Sequence, residues 1–213
     1  MVEFTPRHVL RFRECIPQRL ALDIPRYIWS ATSEAFLRGG ALPPFAARDL
    51  FPYDRRSLVE TGLLTAARKY GDLGIGADEV KNKTLNASHV EIYAQEVVLI
   101  AAAVEGRAQL PREAEFRNSL LEDPQIAFPD PEMSSAKPTS NVLVGVILYG
   151  PSSHYPRAKT EARPGFVEVR FPVAGWARWA EGSIDLLDEL EQYERGKNSS
   201  NDGPQLQADE GTG

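Results

Sequence analysis

Cysteine is nearly absent. Cys15 stands alone among 213 residues, so no disulfide can form within one chain and no thiolate cage can hold a metal there. That scarcity fits a reducing, cytoplasmic setting. Histidine is almost as rare. His8, His89 and His154 show neither H-x-H nor H-E-x-x-H spacing, and no metal site is expected. Long apolar runs are missing too. The richest stretch, 97–104, is bounded by Glu96 and Glu105 and falls well short of the roughly 18 residues that a membrane span needs. No membrane partner is expected. Near the start, Arg7, Arg11, Arg13, Glu14 and Arg19 interrupt any apolar segment that would read as a signal peptide.

Several motifs are absent as well. There is no Walker A loop, no G-x-S-x-G elbow and no internal repeat. The segment GDLGIG at 71–76 has glycines at intervals of three then two, the reverse of a dinucleotide fingerprint, and it follows a helical pattern instead of a strand. No cofactor is expected.

What is present describes a globular chain. Apolar residues make up 42% and charged residues 25%, which excludes wholesale disorder. The length suits one domain with a tail. The expected division is a single domain over 1–195, its helical part about 1–86 and its sheet-containing part about 87–195. The segment 196–213, poor in large apolar residues, is expected to be disordered. Net charge is −6, but unevenly spread. Residues 1–70 hold 11 Lys and Arg against 7 Asp and Glu, a balance of +4, so the remainder carries −10. The basic third either meets an anionic partner or pairs with the acidic remainder of its own chain.

Helical spacing marks three segments. Asp23 is placed to cap a helix with Pro25 in its first turn, Ile24, Ile28, Ala31 and Ala35 form its stripe, and Gly39-Gly40 stops it. Three prolines between Gly39 and Pro52 predict a turn-rich stretch with one helical turn at 45–50. Ser57 and Glu60 then suggest a capping box, with Val59, Leu63, Ala66 and Tyr70 as one stripe. A last helix is expected over Ser183–Arg195, capped by Ser183 and closed by Gly196.

Between them lie strands. The segment 71–86 reads as loop. His89–Tyr93 and Glu96–Val104 read as a hairpin turning near Ala94-Gln95, since β-branched Val97, Val98 and Ile100 favour strand over helix. Arg112–Leu121 reads as a short helix, and 128–140 as a proline-rich loop. Asn141–Tyr149 is a continuous apolar run once past Asn141, as in a strand buried on both faces. Phe166–Val173 alternates, and the two are expected to be antiparallel neighbours. This order lacks regular βα alternation. The expected fold is α+β: an N-terminal helical layer on a small, mostly antiparallel sheet with a C-terminal helix.

Candidate chemistry concentrates in the loop 150–165. Ser152, Ser153, His154, Tyr155, Arg157, Lys159 and Arg163 supply donors and cations suited to an anion, and long loops between adjacent strands are often functional. A second set, Arg48, Arg55, Arg56, Arg68 and Lys69, would contact nucleic acid if a break at 51–53 made a helix-turn-helix. Carboxylates of a metal-dependent nuclease could come from Glu79, Glu168 or Asp130, with Lys81 and Arg170 as bases in Glu-x-base triplets. Trp176 and Trp179, three apart, would share a helical face over the end of the core, or serve a partner surface. Cys15 reads as buried and structural.

None of these constellations has the full spacing of a catalytic motif. The leading expectation is therefore a non-enzymatic interaction or regulatory protein with a protein partner. The alternatives are a phosphate-directed enzyme such as a metal-dependent nuclease, and a DNA-binding accessory protein using the basic N-terminal helices.

Overall fold

The computed structural model describes residues 5–81, 88–112, 142–152, 162–173 and 176–201, with side chains described as far as Lys197. Among the described residues, four α-helices and a six-stranded mixed sheet make an α+β fold. The helices are α1 (Arg7–Cys15), α2 (Gln18–Gly40), α3 (Pro44–Arg68) and α4 (Leu186–Asn201). The strands are β1 (Ile75–Lys81), β2 (Ser88–Ala94), β3 (Val97–Ala103), β4 (Leu143–Gly150), β5 (Phe166–Arg170) and β6 (Ile184–Asp185).

Strands follow one another across the sheet in chain order. All neighbours are antiparallel except β3 and β4, which run parallel from Val97↔Leu143 to Ala103↔Tyr149. The hairpin of β2 and β3 turns at Gln95, which takes φ 53°. β4 and β5 pair as expected, with Leu148 opposite Glu168.

The helices lie on one face. Leu20, Ile24 and Ile28 of α2 and Val59 and Leu63 of α3 share a core with Ile92, Leu99, Ile147 and Val169 of the sheet. Leu186 and Leu187 of α4 join that same core. The opposite face holds a smaller cluster of Ile100, Ala102, Val104, Val146, Leu148 and Phe166. This alternation comes from the two-residue period of a strand.

Several sequence expectations are corrected. α2 begins at Gln18, so Asp23 is no cap and Pro25 lies inside the helix. An interior proline removes one backbone hydrogen bond, but Leu20, Ala21, Ile24 and Ile28 continue the buried stripe across it and hold the turn in place. α3 likewise starts at Pro44 and runs unbroken through Pro52. The turn-rich reading of 39–52 and the capping box at Ser57 are both superseded; Ser57 is an interior residue whose carbonyl accepts from the Thr61 hydroxyl.

The segment read as loop at 71–86 contains β1, so the sheet begins inside what was expected to be the helical part. Ile184 and Asp185 are strand, not helix. Asp185, not Ser183, caps α4: its carboxylate accepts from the Asp188 N–H at 3.0 Å. α4 continues past Gly196 to Asn201, so the first residues of the expected tail, 196–201, are helical. The helix expected at 112–121, the loop at 128–140 and residues 202–213 fall outside the described residues, Arg112 apart.

Long helices pack closely where side chains are small. Gly62 faces Tyr27, and a Cβ there would sit 3.3 Å from that side chain. The glycine that weakens α3 as a helix lets α2 approach it.

Candidate functional site

The structure answers the question of charge directly. Arg11 pairs with Glu96, Arg13 with Glu189, and Arg26 with Glu194. Basic residues of the N-terminal third thus meet acids of the remainder within one chain. Exposed pairs of this kind each contribute about 0–1 kcal/mol, so they orient α1 and α2 more than they stabilise.

The basic set proposed for nucleic acid is scattered. With no break at 51–53 there is no helix-turn-helix. Arg48 pairs with its neighbour Asp49 at 3.2 Å. Arg56 donates to the Ser88 carbonyl at 3.0 Å. Lys69 lies over the Tyr27 ring and 3.7 Å from Asp23. Arg68 is exposed in the last turn of α3. Arg55 turns inward onto aromatic rings.

The predicted anion loop has a tightly built neck. Gly165 donates its N–H to the Gly150 carbonyl at 2.8 Å. A Cβ on Gly150 would collide with the Val104 carbonyl oxygen, and one on Gly165 with the backbone of Ser152. Close backbone approach, which only glycine allows, is therefore what closes this loop. Ser153, His154, Tyr155, Arg157 and Lys159 lie outside the described residues. Ser152 and Arg163 line an open cleft of ≈ 450 Å³ with Arg107, Asp185, Asp188 and Glu191. Its two arginines are already paired. Arg163 pairs with Glu191 and lies over the Trp29 ring at 4.4 Å, and Arg107 pairs with Asp185 at 2.5 Å.

Next to that cleft lies a buried carboxylate. Glu168 is 2% exposed. One oxygen accepts from Arg170 Nε at 2.8 Å and the other lies 3.7 Å from Arg107. Arg107 also spreads over the Phe166 ring at 5.3 Å. Both oxygens of Glu168 are thus taken by arginines. Glu79 and Lys81 project from β1 as exposed residues, and Asp130 lies outside the described residues. Among the described residues, no three His, Cys, Asp or Glu side chains gather as a metal would require.

A second polar network was not foreseen. His89, Glu91 and Tyr93 alternate along β2 and so share the face turned away from the helices. His89 Nε2 lies 2.8 Å from Glu91 Oε1, and the Tyr93 hydroxyl donates to Glu91 Oε2 at 2.5 Å. Burial pushes the Glu91 carboxyl up, but the hydrogen bonds from His89 and Tyr93 outweigh it and hold the group below its ordinary range. Tyr93 is raised, by burial first and then by the adjacent Glu91 carboxylate. The sequence signal for this network was polar residues at every second position of SHVEIYA, between apolar Val90 and Ile92.

Trp176 and Trp179 do not share a helical face. Trp176 takes φ 53° and Trp179 forms an isolated bridge with Pro172. Their rings meet edge to face at 6.1 Å against the smaller core cluster. Core packing, the first reading, is what they do. Cys15 is buried, 3% exposed.

The remaining feature is the tip of the α2–α3 hairpin. No residue between 36 and 50 is buried. Six of the nine large apolar side chains exposed among the described residues stand on it: Phe36, Leu37, Leu42, Phe45, Leu50 and Tyr53. Between the two helices runs a groove of ≈ 410 Å³ lined mainly by Ala35, Gly39, Leu42, Leu50, Phe51 and Tyr53. Among the described residues, no helix is long and apolar enough to cross a membrane. No protein-family model matches the chain, and neither a curated protein nor a solved structure is significantly similar to it.

Proposed function

We propose that this chain is a non-enzymatic interaction protein whose docking element is the α2–α3 hairpin tip, and that the tip packs against a second copy of itself. The observation that carries the reading is the concentration of exposed apolar side chains there, with Leu37 72%, Phe45 68% and Tyr53 77% exposed. Scattered surface leucines need no explanation, but six exposed large apolar side chains gathered on one helical hairpin do.

Two features support a like partner. The tip offers both projecting side chains, Leu37 and Phe45, and a groove beside them. A two-fold interface needs such self-complementarity, each copy supplying what the other receives. Charge agrees. Residues 36–54 contain Arg38 and Arg48 against Asp49 and Asp54, a balance of zero on a chain of −6. These charges are already spent within the hairpin, Arg38 on Glu34 and Asp54 and Arg48 on Asp49. Two tips can therefore meet without like-charge repulsion.

Sedimentation velocity over a concentration series tests this. The intact chain is expected to shift from monomer to dimer as concentration rises. Leu37→Glu and Phe45→Glu are expected to hold it monomeric with an unchanged melting temperature, while Leu73→Glu, exposed but away from the tip, leaves the dimer intact. A chain that stays monomeric at the highest soluble concentration overturns the proposal.

A further inference from the structure

Arg55 sits on α3 one turn beyond Phe51, so both project from the same side of the helix. Its guanidinium carbon lies 5.2 Å from the centre of the Phe51 ring and 5.5 Å from that of Tyr149. The side chain is half-buried, and its Nε is sealed from solvent with no hydrogen-bond acceptor. Among the described residues no carboxylate pairs with it. Asp54, its neighbour in sequence, turns to Arg38 at 3.1 Å. Arg48 and Arg56 on the same helix both reach an acceptor.

A guanidinium is expensive to remove from water unless its N–H groups are met. Aromatic faces attract the cation, yet they accept nothing along the in-plane N–H directions. Those directions form a planar fork that matches an oxyanion with two parallel hydrogen bonds. The rings of Phe51 and Tyr149 flank the guanidinium, and among the described residues its Nε meets no acceptor.

The location adds a second argument. Tyr149 is the penultimate residue of β4, opposite Ala103 at the end of β3 and Val167 at the start of β5. Arg55 therefore stands at the carboxyl ends of the one parallel strand pair. In open α/β sheets ligands bind outside the carboxyl ends of parallel strands, and this pair presents ends of the same kind. Here the chain leaves β3 at Val104 and β4 at the Gly150–Gly165 neck, and Val104 and Tyr149 are joined by a backbone hydrogen bond of 3.0 Å.

We propose that Arg55 anchors an anion-binding site, which takes the carboxylate or phosphate group of a small molecule at the carboxyl ends of β3 and β4. The site shares the Phe51 ring with the hairpin groove, but Arg55 and Tyr149, which carry it, do not line that groove.

The test titrates the full chain with inorganic phosphate and separately with citrate, at constant ionic strength set with chloride. Thermal unfolding and the Arg55 Nε–H resonance are followed together. The expected result is a saturable rise in melting temperature with at least one of the two anions, and a saturable shift of that resonance. Arg55→Met, which keeps the aliphatic length, is expected to weaken the response tenfold or more. Arg55→Lys falls between, and Arg56→Met leaves the response unchanged. A larger response to phosphate than to citrate assigns the site to phosphate compounds, and the reverse assigns it to carboxylates. If Arg55→Met does not fold, the resonance of the unsubstituted chain still decides. Absence of a saturable shift with both anions, or a full response in a folded Arg55→Met protein, overturns the proposal.

Discussion

The carboxylate of Glu60, midway along α3, accepts a hydrogen bond from the backbone N–H of Val90 in β2 at 2.7 Å. One turn earlier Arg56 donates to the carbonyl of Ser88 on the same strand edge. β3 pairs with β2 only over Glu91–Ala94, so these two side chains take the place of a neighbouring strand where β3 no longer pairs with β2. Helix α3 thereby completes the sheet as well as covering it.

Loss of the Glu60 carboxylate would leave a partly buried N–H without its acceptor, at a cost of about 1–3 kcal/mol. Glu60→Ala is expected to lower the melting temperature and to raise hydrogen exchange at Val90 above that of neighbouring amides. Unchanged protection at Val90 would show that the contact does not hold the strand end.

Glycine substitutions should separate two kinds of close approach. At Gly62 an added Cβ meets the base of the Tyr27 side chain, its Cβ and Cδ1 at 3.3 Å, a tight contact but not an overlap, and gains up to about 1 kcal/mol of helix propensity. At Gly150 the obstacle is the Val104 carbonyl oxygen, which belongs to the backbone and cannot swing aside. Gly62→Ala is therefore expected to stay within about 1 kcal/mol of the original stability. Gly150→Ala is expected to cost more than the roughly 1–3 kcal/mol of ordinary overpacking. Denaturant unfolding of the two variants side by side checks the order.

Much of the sheet was legible before the structure. Asn141–Tyr149 and Phe166–Val173 announce themselves by β-branched content and alternation, and their pairing follows from the sheet register. The helix boundaries were not legible. Pro25 and Pro52 read as a helix start and a break, yet each lies inside a helix of more than twenty residues; a buried stripe that local propensity does not register crosses Pro25, whereas in α3 no residue before Phe51 is buried. β1 was missed because IGADEVK has little apolar content; it is an edge strand, mostly exposed, held by pairing with β2. The candidate sites depend on contacts far apart in sequence. Arg55 and Tyr149 are 94 positions apart (149 − 55) and meet only because α3 crosses the end of β4.

Glu168 offers a test of a buried ion cluster. Arg170 covers one oxygen at 2.8 Å, while Arg107 stays 3.7 Å from the other. Removing one partner of a buried pair costs about 3–5 kcal/mol, because the remaining charge is left without compensation. Arg170→Met is expected near the lower end of that range, since Arg107 remains. The double variant Glu168→Leu/Arg170→Leu should recover much of the loss, because an apolar pair of similar bulk needs no counter-charge. A double variant less stable than Arg170→Met alone would contradict this account.

His8 should titrate low. Burial lowers its pKa below 6.5, only partly offset by its hydrogen bond with the Glu181 carbonyl. The unfolded chain then binds the proton more readily than the folded one, so stability falls as the pH drops below about 6.5. The ring also packs against Phe171 with centroids 4.7 Å apart. His8→Phe keeps that contact and is expected to flatten the decline on the acid side of neutrality. An NMR titration of His8 with a midpoint at or above 6.5 would remove the basis for it.

Glu91 governs a lower pH window. Its folded pKa lies below 4.5, held there by His89 and Tyr93 against the opposing effect of burial. For a carboxyl depressed on folding, the unfolded chain takes up its proton first as the pH falls. The stabilisation is therefore complete above about 4.5 and is lost as the pH drops through the lower folded value. Protonation also removes an acceptor from the Tyr93 hydroxyl, 2.5 Å away. Glu91→Gln keeps the shape but not the charge. It is expected to be less stable than the parent chain near neutrality and to lose less stability between about pH 6 and pH 3. Parallel denaturant curves at each pH measure the difference. Two lines of equal slope would place the acid sensitivity on other carboxylates and leave the His89–Glu91–Tyr93 network a packing feature alone.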